Sequence, residues 1–303
     1  SKSLDIWSFM PYNSTLVGAV NFEKLRQSQV WPKVQQTVQG NPEAWKEIQA
    51  FIQGTGMDPM TQIKQLLFSV PSDVDRSEEF VLAFTGHFDE SKLVPYLQSK
   101  IQPQGEKIVA HKYNNRYMYT NARKKKAFAT FFGKEALIIA GPRSIREVID
   151  LAQGQGKSVK SNQGITALMG QVNTQASFWV TGFIPQSAKS MASGDPQTKA
   201  FASIKSVAVS IDIPGSLHIQ VDAQAGSSAD AQQIQGYTSV LLGQAKQAPI
   251  VMAMGFLPYL EQLQIQTKEA KVLFNLNLTD SQVNDLTTRL KGLAQAGGGK
   301  RPF

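Results

Sequence analysis

Residues 63–88 read IKQLLFSVPSDVDRSEEFVLAFTGHF: two runs rich in apolar, β-branched and aromatic residues, 63–70 and 80–88, on either side of a polar turn. Short runs bounded by Pro, Asp and Ser mark a pair of neighbouring strands. The pattern returns at 204–225 as IKSVAVSIDIPGSLHIQVDAQA, where IKSVAVSI shares Ile, Lys and Ser with IKQLLFSV at equivalent places. Upstream of each pair stands another apolar run followed by a helical stretch, STLVGAVNF at 14–22 and SFWVTGFI at 177–184. The order of elements therefore recurs along the chain, which points to a duplicated unit.

Helix signals lie between these strands. Asn41-Pro42 reads as an N-cap followed by proline in the first turn, with Trp45, Ile48, Phe51 and Ile52 on one face and a stop at Gly54. Asp58-Pro59 starts a short turn, and Asp89 caps a further helix containing Pro95. Strands at 108–113 and 117–122 form a hairpin around Asn114-Asn115, and 127–132 pairs with 136–140 around Gly133. Gly141-Pro142 opens a helix carrying Ile145, Val148, Ile149 and Leu151. Ser227-Ser228 caps a long helix with Ile234, Tyr237 and Leu241 on one face, and 249–263 reads as a buried helix pair. Val272, Phe274, Leu276 and Leu278 alternate as a half-buried strand, and Thr279 with Gln282 forms a capping box for the last helix.

The expected fold class is α+β, a tandem duplication of a unit with antiparallel sheet packed by helices. Its parts are a first repeat at 1–153 with a basic hairpin region, a second repeat at 164–293, and a Gly-rich tail at 294–303. The glycine-rich stretch QGQGKSVKSNQG at 153–164 serves as the linker. The second repeat lacks the basic hairpin series.

Composition narrows the function. The 303 residues include 42% hydrophobic and 18% charged side chains, which excludes a disordered chain and a membrane bundle. No cysteine is present, so thiolate nucleophiles, thiolate metal sites and disulfides are excluded. Three histidines (His87, His111, His218) leave little acid–base or metal chemistry, and no metal or cofactor is expected. The 31 glutamines outnumber the 23 carboxylates and fall mainly on polar helix faces. Carboxylates such as Asp73, Asp75, Glu78 and Glu79 sit in a polar turn as solvated charge. No window reaches the length of a spanning helix, and the N-terminus lacks signal-peptide form. A start at Ser1 without methionine fits a mature chain whose signal has been removed, so the expected location is periplasmic or secreted, with the cytoplasm as the alternative.

The phrases MPYNSTLVGAVNFEKLRQSQVWPKV, FTGHFDESKL and YMYTN…AGPRSIREVID resemble uncharacterised bacterial exported proteins of the domain-of-unknown-function type. In that group a Pro-led first strand, a G-x-F strand end before a helix and a Gly-led helix recur across two repeats. The resemblance spans most of the chain and rests on structural positions. It implies an extracytoplasmic α+β protein and carries no active site with it.

The net charge of +8 is local. Residues 107–146 hold ten Lys and Arg against Glu135 alone, a formal +9, and the other 263 residues sum to −1. Tyrosines and phenylalanines are interleaved with the basic residues. Clustered cations attract anionic partners such as a glycan, a lipid headgroup or a protein, and no motif for nucleic acid accompanies them. The contact residues expected are Lys112, Arg116, Arg123, Lys124, Lys125 and Lys126, with Tyr117 and Tyr119 beside them. The opposing account is that the tyrosines pack inside and the basic turn is a solvated edge that discourages strand pairing. Function is accordingly read as a non-catalytic binding, scaffold or assembly protein. Two alternatives stay open: a carrier holding an apolar ligand or lipid in a sheet–helix cavity, with 250–263 contributing Met252, Met254 and Phe256, and a hydrolase whose site has no recognisable signature.

Overall fold

The computed structural model describes residues 4–71, 79–194 and 198–297, with side chains as far as Arg289. Asp73, Asp75, Glu78 and the last six residues of the tail lie outside that set. By its contacts the chain divides into two units, Ser1–Gly182 and Phe183–Phe303.

The first unit holds eight described strands: β1 (Ser14–Asn21), β2 (Gln65–Pro71), β3 (Val81–Thr85), β4 (Ile108–Tyr113), β5 (Arg116–Asn121), β6 (Phe128–Phe132), β7 (Ala136–Ala140) and β8 (Phe178–Phe183). They are antiparallel in the order β8-β1-β2-β3-β7-β6-β5-β4. Its helices are α1 (Phe22–Arg26), α2 (Trp31–Gln39), α3 (Pro42–Thr55), α4 (Pro59–Gln62), α5 (Glu90–Ile101), α6 (Ser144–Ala152) and α7 (Gln163–Met169). The period-2 alternation of β3 and β7 buries both faces. Val81, Ala83, Ile138 and Ala140 pack against Ile145, Val148 and Ile149 of α6 and Ile165 of α7. On the opposite face Leu137 joins Met57, Phe88, Leu93 and Phe131 under α3 and α5.

The caps read from sequence are formed. Asn41 accepts from the Ala44 amide, Asp58 from Met60 and Asp89 from Ser91. α3 runs through the expected stop at Gly54 to Thr55, because Gly56, at φ +68°, supplies the left-handed terminus. α6 has no side-chain cap of its own. Glu79 reaches its start instead, accepting from the Arg143 and Ser144 amides and the Ser144 hydroxyl at 3.2, 3.0 and 2.7 Å. That carboxylate is a half-buried capping group, a correction to its reading as solvated turn charge.

The stretch expected as a linker is packed into the first unit. Val159 is fully buried and its amide donates to Met10 O at 2.8 Å, while Ser158 bridges to Pro11. Gly154 and Gly156, at φ +78° and +91°, turn the chain back onto the N-terminal segment. Glycine here marks tight turns. The strand read as opening the second repeat, β8, pairs with β1 through Leu16↔Gly182 to Val20↔Phe178.

The second unit comprises α8 (Gln186–Gly194), β9 (Ser206–Asp212), β10 (Ser216–Gln224), α9 (Ser228–Gln247), α10 (Pro249–Ala253), α11 (Leu257–Glu261), β11 (Gln264–Lys268), β12 (Lys271–Thr279) and α12 (Asp280–Gly297). Its strands follow the order β9-β10-β12-β11, which matches β2-β3-β7-β6 position for position. In chain order α10 and α11 stand where the first unit has the β4–β5 hairpin. Ala231 and Ile234 of α9 pack on Val272 and Phe274. Strand β11 escapes the sequence reading because QIQTK has one large apolar residue, Ile265, enough for an edge strand with a single packed position. α12 extends to Gly297, into the stretch of tail composition.

Candidate functional site

An apolar space in the first unit lies between α5 and the sheet formed by β4 to β7. Leu93, Leu97 and Ile101 recur at four-residue spacing, so one face of α5 covers the strands. Beneath it, Ala129 is a small residue whose register partners are Tyr119 on β5 and Ile139 on β7. The methyl of Ala129 cannot fill the room that its larger neighbours define. A cavity of about 290 Å³ results, lined also by Ile108, Phe128 and Phe131. That is close to the lower end of small-molecule sites, roughly 300–1,000 Å³. Leu97 is 45% exposed at its rim.

The strand pairing over this cavity is short. β5 and β6 are joined by two register pairs, Tyr119↔Ala129 and Thr120↔Phe128. Beyond them side chains span the gap: Thr130 Oγ1 donates to Tyr117 O at 2.9 Å and Arg116 Nη1 to Phe131 O at 2.9 Å. The Arg116 guanidinium also sits 4.1 Å from the centre of the Phe132 ring. Burial lowers its pKa, with the charge of Glu90 opposing. Arg116 is therefore a strut between strands.

The other expected contact residues separate along the same face. Met118 and Thr120 are buried, whereas Tyr117 and Tyr119 point to the cavity side, as alternation requires. Tyr117 is 53% exposed and opposes the exposed Lys112 in register. Tyr119 lines the cavity, donates its hydroxyl to Glu90 at the start of α5 and meets Phe131 edge-on at 6.1 Å. Burial, then the bond to Glu90, pushes its pKa up to about 12.

The turn at 123–126 springs from two cavity-lining residues, Asn121 and Ala127. Asn121 Oδ1 accepts from the Arg123 and Lys124 amides at 3.0 and 3.3 Å, and its Nδ2 donates to Glu106 at 2.5 Å. Lys124 pairs with Glu106 at 3.0 Å, and these two bonds, Lys124's first, hold the Glu106 pKa below its ordinary value. Lys125 adopts φ +46°, and all four basic side chains are exposed. Three other members of the basic region have attachments elsewhere. Arg143 pairs with Glu79 at 3.8 Å, Arg146 lies over Tyr113, and Lys134 lies near the α5 cap Asp89 and lowers its pKa behind the Ser91 bond. The +9 is thus several local arrangements, with the 123–126 turn as the densest.

Two further places bear on the alternatives. In the second unit Val251, Phe256, Tyr259, Leu260, Leu276 and Leu286 line an apolar space of about 350 Å³, and Met252 and Ile250 point outward. On the exposed polar face of β10 and β12, Ser216 Oγ lies 2.6 Å from His218 Nε2, whose Nδ1 lies 2.5 Å from Asn277 Oδ1. The backbones of these three residues are taken up in the ladder. The relay was not legible in the sequence because β10 supplies two members and β12 the third. Among the described residues no group of three His, Asp or Glu is placed to hold a metal ion, and no helix is long and apolar enough to cross a membrane.

Fold and site together define an α+β protein with an antiparallel sheet packed by helices and an apolar cavity under one of them. The same fold occurs in TP0453. Its crystal form III matches with a TM-score of 0.54 at 8% identity over 93% of this chain and 97% of that one. Crystal form I matches with a TM-score of 0.50 at 8% identity over 95% and 98%. At this identity the likeness establishes the fold alone. No family model and no curated protein matches the sequence.

Proposed function

We propose that the protein is a non-catalytic binding protein that carries an apolar ligand in the cavity beneath α5. The carrying observation is the space over Ala129, roofed by Leu93, Leu97 and Ile101 and floored by strands whose ladder is two pairs long at β5–β6. A tightly packed core would leave no such room, and a short ladder held by Arg116 and Thr130 gives the β4–β5 hairpin a means to part from β6. This reading narrows the anionic-partner surface: Arg116 and Tyr119 hold the hairpin in place, while Lys112, Tyr117 and residues 123–126 remain on the surface. We further propose that the chain arose by tandem duplication, a reading supported by the matching strand orders, and that it works outside the cytoplasm, a reading supported by its resemblance to exported proteins.

The test uses the neutral dye N-phenyl-1-naphthylamine, whose fluorescence rises in apolar surroundings. Saturable binding to the full chain is expected, and Ala129→Phe, which fills the space, is expected to weaken it about tenfold or more. Equal binding by a folded Ala129→Phe variant would place the dye elsewhere and overturn the reading.

A further inference from the structure

The two ends of the cavity differ in charge. At one end Asn121 and Ala127 line the space and carry the turn of Arg123, Lys124, Lys125 and Lys126 between them. Lys107 is tied to that turn through its carbonyl, which accepts from the Ala122 amide at 2.8 Å. The Arg123 guanidinium folds to within 4.0 Å of where a side chain on Gly105 would begin, beside the chain leaving α5. Glu106 is the nearby carboxylate at this end, and Lys124 and Asn121 already engage it. At the other end the cavity shares Val94 and Tyr119 with a hollow of about 570 Å³ that includes Asp89 and Glu90. Glu90 takes the Tyr119 hydroxyl, and Asp89 caps α5 with Lys134 beside it.

We infer that the ligand is a single-chain anionic amphiphile of the fatty-acid class, its chain in the cavity and its carboxylate at the 123–126 turn. The inference rests on the carrier reading and adds the ligand's class and orientation. The volume suits one slender chain. Charge selects the head: at one mouth four clustered cations outweigh Glu106 and attract a carboxylate, whereas at the other Asp89 and Glu90 stand with Lys134 and form no cation cluster. A chain entering from the turn would run along Ile101 and Ile108 toward Phe131 and end short of Glu90. Neutral apolar molecules would fill the same space without using the turn.

Calorimetric titration of the full chain at low ionic strength separates the two claims. The probes are dodecanoate, dodecan-1-ol and dodecyltrimethylammonium. The variants are the quadruple Arg123→Gln, Lys124→Gln, Lys125→Gln, Lys126→Gln and the cavity-filling Ala129→Phe. Dodecanoate is expected to bind about tenfold more tightly than dodecanol, the combined effect of several solvated charges of modest individual weight. The trimethylammonium probe is expected to bind most weakly. The quadruple variant, whose changes are all on exposed side chains, should erase the preference while leaving dodecanol binding unchanged. Ala129→Phe should weaken every probe. If dodecanol matches dodecanoate, or the quadruple variant keeps the preference, the anionic class is wrong and the carrier reading stands. If no probe binds and the neutral dye also fails, the carrier reading falls and takes the inference with it.

Discussion

Tyr119 and Arg116 show how one strand divides its residues between support and binding. Both sit among the basic and aromatic positions that composition singles out, yet both are spent on holding the hairpin. Tyr119 is the more informative because its chemistry can be titrated. A tyrosine hydroxyl ordinarily ionises near pH 10. In the fold burial and the bond to Glu90 raise this to about 12. A raised folded value means that the neutral hydroxyl is favoured in the native state. Its stabilising contribution is complete below about pH 10 and is lost as the pH rises toward 12. Urea denaturation across that window should show Tyr119→Phe losing less stability than the unsubstituted protein. Identical losses would mean that Tyr119 titrates freely. No pattern in RYMYTN distinguishes Tyr117 from Tyr119. The difference is the presence of α5 over one and open solvent over the other.

At the scale of elements, most strands and caps were legible because each depends on residues close in sequence. Asn41, Asp58, Asp89 and Ser227 cap helices with their own side chains, and alternation exposes one strand face from the other. The start of α6 is different. Its capping carboxylate comes from Glu79, sixty-five residues before Ser144, and enters because β3 lies beside β7. Sequence reading placed Glu79 in a solvated turn since nothing local reveals that neighbour. Replacement by alanine would leave the Arg143 and Ser144 amides without their acceptor. A loss of about 1–2 kcal/mol of unfolding free energy is expected for Glu79→Ala, measured by urea denaturation at neutral pH. A change below a few tenths would show that water replaces the carboxylate. The segment at 153–164 makes the same point from the opposite side. Its composition says linker, and one valine, Val159, with its backbone bond to Met10, makes it part of a core.

Over the whole molecule the two units carry separate cores. The clusters built on Ile138 and Phe131 draw every member from the first 182 residues, and that built on Ile234 draws its members from the second unit. A fragment of residues 1–182 should therefore unfold cooperatively in urea and keep its affinity for the neutral dye within about threefold. A gradual, probe-dependent transition would show that the first core is incomplete alone. Charge also resolves at this scale. The +8 of the chain is a nearly neutral protein with a basic stretch, and within that stretch Arg116, Arg143, Arg146 and Lys134 are spread over separate local contacts, whereas the 123–126 turn, with Lys124 paired to Glu106, gathers four cations at the end of a cavity.

The sequence alone determined the α+β class, the strand runs, most helix caps and the place where charge concentrates. These follow from periodicity, capping chemistry and composition, all of which act over a few residues. Only the tertiary structure decided where the cavity lies, which basic residues are struts, and which carboxylate caps α6. Each of these depends on side chains that meet from distant parts of the chain. An alanine becomes a cavity floor only when a helix roof and two large neighbours are set around it. That is a property of packing, which local sequence does not encode.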